Sequence, residues 1–199
     1  MTNIKLCGLS RLEDIEVANN LKPEYIGFVF WDKSKRNVSY EKAKELRSAL
    51  DSSIKSVGVF VKADIDFVCR LLDDGIINIA QLHGGEDDEY IKELRSKTDK
   101  PIIQAFRIET ESDIDKVNAS SADYVLLDSG KGTGIVFNWE LIKNVNRPFF
   151  LAGGLSCDNI EDAVKNIRPF AVDVSSGIET EGLKDKAKME RFVSMVRNL

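Results

Sequence analysis

The sequence predicts an α/β protein: a compact (β/α)8 TIM barrel with a weak or shortened helix after strand 5 and/or strand 6. Three observations carry that expectation. Short apolar, β-branched runs recur eight times along the 199 residues, a repeat of about 25. Charged segments with helical spacing lie between them, the alternation that builds βαβ units and a parallel sheet. No Pro/Gly/Ser-rich linker divides the chain, so residues 1–199 are expected to form one domain. A doubly wound open sheet usually spends about five or six strands, and eight units suggest a closed ring instead.

The elements follow in order. Strand 1 is IKLCG (4–8), and a helix over 11–21 sets Leu12, Ile15 and, with them, Val17, Ala18 and Leu21 toward one side. Strand 2 is YIGFVF (25–30), and the helix over 40–50 carries Ala43, Leu46 and Leu50 on a stripe. Strand 3 is SVGVFV (56–61); the helix over 64–74 presents Phe67, Leu71 and Leu72 and stops at Gly75. Strand 4 is INIAQLH (77–83), with a helix over 86–97, and strand 5 is PIIQAFRI (101–108). The helical patterns over 111–118 and 138–144, flanking strand 6 (DYVLLD, 123–128), are weaker. Strand 7 is RPFFLAGG (147–154) with a helix over 158–167, and strand 8 is PFAVDVSSG (169–177) with a helix over 184–197. Barrels of this class typically run to about 250 residues, so the economy falls on the two weak spans.

Composition narrows the function. Apolar residues make up 43% and charged residues 31%, as in ordinary globular chains. The net charge of −5 offers no basic stripe for a nucleic acid partner. No apolar run approaches the roughly 20 residues of a membrane helix, so no membrane partner is expected. Charge appears too early in MTNIKLCGLSRLED for a signal peptide. Cys7, Cys69 and Cys157 are odd in number and far apart, which reads as thiols in a reducing, cytoplasmic compartment. With one histidine and no Cys/His spacing of the zinc type, no metal site is expected.

A barrel places its chemistry at the C-terminal ends of its strands. That rule brings Cys7, the loop from Phe30 to Arg36, Gln81, His83, Arg107, Asp128, the run Ala152–Gly154 and the run Asp173–Gly177 to one rim. Period-2 alternation turns Lys5 and Cys7 inward and Ile4 and Leu6 toward the helices. Cys7 reads two ways: as a buried structural thiol, or as a base whose thiolate needs a nearby cation, which Lys5 supplies. Asp128, taken alone, reads as a turn cap before SGKGTG, and His83 as a hydrogen-bonded structural histidine. The glycine loops SGKGTG (129–134), AGGLS (152–156) and SSGIE (175–179) are more telling. Glycine lets backbone N–H groups approach an anion, and Ser156 or Asp158 is positioned to cap the next helix. Loops after strands 7 and 8 commonly hold phosphate in barrels, so a phosphorylated small molecule is the expected ligand.

Six ordered motifs then converge: KLCGLS, FVFWDKSKRNVS, QLHGGE, LLDSGKGTGIVFNW, LAGGLSCDNI and VDVSSGIETEGLKD. Together, from residue 4 to about 197, they resemble the phosphoribosylanthranilate isomerase family of tryptophan biosynthesis. The resemblance implies a small (β/α)8 barrel, a monomer or homodimer, with no cofactor and no metal. It implies an Amadori rearrangement of N-(5'-phosphoribosyl)anthranilate to 1-(o-carboxyphenylamino)-1-deoxyribulose 5-phosphate. By motif, Asp128 would be the general acid on the furanose ring oxygen, and Cys7 the general base on C2'. Arg36 would meet the anthranilate carboxylate, His83 would line the pocket near the aromatic ring, and Asp173 matches the family's strand-8 aspartate. Gly132, Thr133, Gly134, Gly153, Gly154, Ser176 and Gly177 would hold the phosphate. Lys35 and Glu181 depart from the family pattern, which has proline at both positions. Two alternatives stand beside this reading: another phosphate-binding barrel enzyme of the tryptophan or histidine pathways, and a non-catalytic sugar-phosphate-binding barrel. A Cys-Gly at the first strand is not expected of indole-glycerol-phosphate synthase or tryptophan synthase α subunits, and the pairing of Cys7 with Asp128 speaks against a silent barrel.

Overall fold

The computed structural model describes residues 1–128 and 141–199. Eight strands close into a barrel in chain order: β1 (Asn3–Cys7), β2 (Tyr25–Phe30), β3 (Lys55–Phe60), β4 (Ile79–Leu82), β5 (Ile102–Arg107), β6 (Tyr124–Asp128), β7 (Phe149–Ala152) and β8 (Ala171–Val174). All eight pairings are parallel, and the ring closes where β1 lies on β8 with Lys5 opposite Asp173. The helices are α1 (Leu12–Leu21), α2 (Tyr40–Ala49), α3 (Ile65–Asp73), α4 (Asp88–Lys97), α5 (Glu111–Ala119), α6 (Ile160–Ile167) and α7 (Lys186–Arg197). Among the described residues a 3-10 turn, Leu141–Asn144, precedes β7.

Local chemistry explains where the helices start. Ser39, Asp64, Asp87 and Asp185 each accept a backbone N–H of the first helical turn, which satisfies donors the helix cannot. The weak pattern after β5 forms a full nine-residue helix, because Thr110 and Asp113 close a capping box at its start. After β6, the described residues before β7 hold a four-residue 3-10 turn. Two sequence expectations need correction. Leu12 is 46% exposed, and α1 buries Ile15, Val17 and Ala18 instead. Neither Ser156 nor Asp158 is the cap of α6: Asn159 holds that position, and its side chain bends back to accept from Ser156 N.

The period-2 faces sort as expected. Ile4, Leu6, Ile26, Phe28, Val125 and Leu127 pack outward with the helices. Tyr25, Val57, Ile79, Ile103, Leu126 and Phe150 fill the interior. At the N-terminal mouth Tyr25, Tyr124, Phe150 and Phe170 pack with ring centroids 5.3 to 5.9 Å apart. This aromatic plug closes one end, so the strands' C-terminal end alone is left to open on solvent.

A further pair of strands, β9 (Glu179–Thr180) and β10 (Leu183–Lys184), forms an antiparallel hairpin after β8 that the periodicity did not show. Its turn uses Glu181 at φ 52° and Gly182 at φ 81°. Positive φ at both central positions is the hairpin-favouring turn geometry, and a proline ring cannot adopt it. The lysine-for-proline and glutamate-for-proline departures thus differ in consequence: Glu181 sets the turn type of an element that reaches the rim.

Candidate active site

The open end of the barrel holds a cavity of about 280 Å3. Cys7, Arg36, His83, Asp128, Asp173, Gly153, Gly154 and Ser176 all line it. Gly177 adjoins it through the bridge that pairs it with Ser156. Gly132, Thr133 and Gly134 lie outside the described residues. Arg107, at the end of β5, does not line this cavity; it is solvent-facing and pairs with Glu109.

Cys7 ends β1 opposite Gly27 of β2. A Cβ at position 27 would lie 2.8 Å from Cys7 Sγ, so the glycine makes the space in which the thiol sits. Beneath it, Lys5 is wholly buried and gives its ammonium to Asp173 Oδ2 at 2.9 Å. Burial is the largest influence on Lys5 and works against its charge, but Asp173 and Cys7 outweigh it and the pKa is raised. Burial likewise pushes the Cys7 thiol up, against the opposing pull of Lys5 and Lys184. Lys5 is thus held as an ammonium against Asp173, with the Cys7 sulfur beside the pair.

On the far side of the ring, His83 links β4 to β6. Its Nε2 lies 3.2 Å from Asp128 Oδ2, and its Nδ1 lies 2.9 Å from Gln81 Nε2. An amide nitrogen can only donate, so Nδ1 accepts and the ring proton sits on Nε2, facing Asp128; this tautomer is assigned from the network. Asp128 thus belongs to a relay that faces the cavity. Gln81, on the same strand face as His83, is fully buried at the start of that relay.

Arg36 reaches the cavity from the loop after β2. Gly8 at φ 76° lets it pass: a Cβ there would stand 2.5 Å from Arg36 Cδ. The guanidinium gives Nε and Nη2 to Glu179 Oε1 and Oε2 at 2.6 and 2.7 Å. Lys184 Nζ reaches the same carboxylate at 2.5 Å and also donates to Ser175 O and Oγ. Burial, the largest influence on Glu179, would raise its pKa, but these hydrogen bonds overcome it and hold the carboxyl below its ordinary range. Burial dominates at Lys184 and lowers it. Glu179 and Lys184 went unread in the sequence, since their place at the rim depends on the β9–β10 hairpin.

The loops after β7 and β8 approach more closely than any side chain permits. A Cβ on Gly177 would lie 1.9 Å from the Leu155 carbonyl oxygen. Gly153 and Gly154 have φ of 88° and 66°, a left-handed backbone that glycine adopts without strain. Ser175 and Ser176 line the cavity beside them. The result is a backbone-walled corner opposite the acid relay, suited to an anion.

Comparison with known proteins agrees with this geometry. The profile of the family described as N-(5'phosphoribosyl)anthranilate (PRA) isomerase matches residues 4–195. The N-(5'-phosphoribosyl)anthranilate isomerase of Endomicrobium trichonymphae is 45% identical, with the whole of both chains covered. That of Thermoanaerobacter sp. (strain X514) is 43% identical over the same full coverage. Among solved structures, phosphoribosyl anthranilate isomerase from Thermotoga maritima superposes over the whole of both chains with a TM-score of 0.91 at 33% identity. A structure of monomers generated from the dimeric Thermotoga maritima enzyme gives 0.87 at 32%, again over both whole chains. A phosphoribosyl anthranilate isomerase in complex with reduced 1-(o-carboxyphenylamino)-1-deoxyribulose 5-phosphate gives 0.88 at 32%, with full coverage.

Proposed function

We propose roles for these side chains from the premise that the chain belongs to the N-(5'-phosphoribosyl)anthranilate isomerase family. It isomerises N-(5'-phosphoribosyl)anthranilate to 1-(o-carboxyphenylamino)-1-deoxyribulose 5-phosphate, a step of tryptophan biosynthesis. The observation that carries the assignment of roles is that Cys7 and Asp128 end strands three steps apart around the closed ring and line one cavity.

Asp128, in its protonated form, gives its proton to the furanose ring oxygen. The C1'–O bond breaks as the anilino nitrogen's lone pair forms the C1'=N Schiff base. Cys7, as thiolate, then takes the proton from C2', and the electron pair moves toward nitrogen to give the enol-amine. Loss of the enol proton and protonation at C1' yield the ketone. The contact from His83 fixes the carboxyl of Asp128 toward the cavity, and the Gln81 amide holds His83 in the tautomer that makes that contact. Asp173 Oδ1 has no partner among the described residues, and a ribose hydroxyl is the donor it lacks. Arg36 meets the anthranilate carboxylate, and Gly153, Gly154, Ser176 and Gly177 offer backbone N–H groups to the phosphate.

The closure of β1 on β8 supports one barrel domain over residues 1–199. Three free thiols, two of them buried, support a reducing cytoplasmic setting, and no described helix is long and apolar enough to cross a membrane. The dimeric relative supports a monomer or homodimer. The test is loss of the substrate's fluorescence on adding purified protein, in EDTA and without cofactor. Cys7→Ala should lose about 10²–10⁴-fold in kcat while still binding the reduced product analogue. An alanine variant as active as the parent overturns the base assignment, and activity abolished by chelation overturns the metal-free reading.

A further inference from the structure

We propose that Glu179 is a positioning residue that selects which edge of Arg36 the substrate meets, and so sets recognition of the anthranilate carboxylate. The inference rests on the reading above that Arg36 binds that carboxylate.

A guanidinium has five N–H donors and two edges that fit a carboxylate: the side edge of Nε and Nη2, and the end of Nη1 and Nη2. Glu179 fills the side edge with both its oxygens, at 2.6 and 2.7 Å. Nη1 and the second hydrogen of Nη2 are left as the pair for another carboxylate. Arg36 lines the cavity with its side chain 31% exposed, whereas Glu179 is 8% exposed. The charge on the rim therefore belongs to the arginine, and its counter-charge is sunk behind it.

Glu179 is itself held from a second direction. Lys184, 2% exposed, grips Oε1 at 2.5 Å and the Ser175 carbonyl at 2.9 Å. Ser175 stands next to Ser176 at the anion corner. A single carboxylate thus ties the carboxylate-binding arginine on the β2 loop to the phosphate-binding loop after β8. The spacing between the two ends of the substrate is set by this staple, not by either loop alone. Two cations share one anion, which leaves one net positive charge to meet one aryl carboxylate.

The experiment compares two ligands: the reduced product analogue, and 1-anilino-1-deoxyribulose 5-phosphate, which lacks the ring carboxylate. Glu179→Gln keeps the shape and removes the charge; Glu179→Asp keeps the charge and falls one methylene short of the guanidinium. Either variant, checked for native melting, should weaken the carboxylate-bearing analogue roughly tenfold and the carboxylate-free ligand less than about twofold. The kinetic loss should fall in KM more than in kcat, as expected for lost uniform binding. In an Arg36→Met background the same change at 179 should have no further selective effect. Equal weakening of both ligands means that the hairpin serves only the fold, and no weakening of either means that Arg36 needs no guide; each overturns the proposal. If Arg36→Met leaves the two ligands unchanged relative to each other, the carboxylate reading itself fails, and this inference falls with it.

Discussion

Replacing Gly27 with alanine tests the placement of the catalytic thiol without touching it. Gly27 sits inside β2, directly opposite Cys7, with an ordinary strand backbone, so the added methyl meets no backbone strain. It meets sulfur: the new Cβ would lie 2.8 Å from Cys7 Sγ and 3.2 Å from its Cα. Ordinary contact between such atoms is about 3.5–4.0 Å, so Sγ must move by about 1 Å. Beneath it lie the buried Lys5 and Asp173, so the sulfur is displaced toward the cavity that it lines. A misplacement of about 1 Å in a reacting group costs on the order of 10²-fold, while overpacking costs roughly 1–3 kcal/mol of stability. The expected result is a kcat reduced about a hundredfold in the fluorescence assay. The melting temperature should fall by roughly 2–4 °C per kcal/mol, and the phosphate end should bind inorganic phosphate as before. A variant with parental kcat and a normal melting temperature would refute the reasoning, because it would mean that the thiol's position is unimportant.

Two further outcomes follow from the same site. Lys5→Met leaves Asp173 buried without its cation and should cost about 3–5 kcal/mol in denaturant unfolding; a loss below about 1 kcal/mol would show that the Lys5–Asp173 pair does not hold the barrel's closure. The pH profile of kcat/KM should rise through a basic limb as Cys7 ionises, centred above the ordinary cysteine range because burial dominates over Lys5 and Lys184. The sign for stability runs the other way: a raised thiol favours the folded state below its unfolded value, and that contribution is lost as pH rises through the folded one. The limb set by Cys7 should therefore coincide with a fall in stability, and a limb centred below neutrality would exclude this base.

Much of the site was legible in the chain because barrels place function at strand ends, and strand ends are marked locally. Cys7, His83 and Asp128 close clean period-2 runs, and the glycines after β7 and β8 announce a backbone-built corner. Glu179 and Lys184 carried no such mark. Two residues per strand is too short for a periodic signal, and the hairpin's turn depends on Glu181 adopting a positive φ that its residue type does not favour. The helix after β5 reads weakly in the chain because its apolar face is only Ile114 and Val117, while the capping box of Thr110 and Asp113 marks its start.

By itself, then, the sequence determined the alternation of eight strands with helices, the inward and outward faces of each strand, and the rim to which the reactive residues belong. These follow from periodicities of two and about 3.6 residues, which are local properties. Only the tertiary structure decided which groups meet. Lys5 finds Asp173 across 168 positions of chain, and Arg36 finds Glu179 across 143. Both pairings exist because the ring closes β1 onto β8 and brings the last loops over the first two strands. Ring closure is a non-local event, and it turns a cysteine beside a lysine into a thiol beside an ion pair.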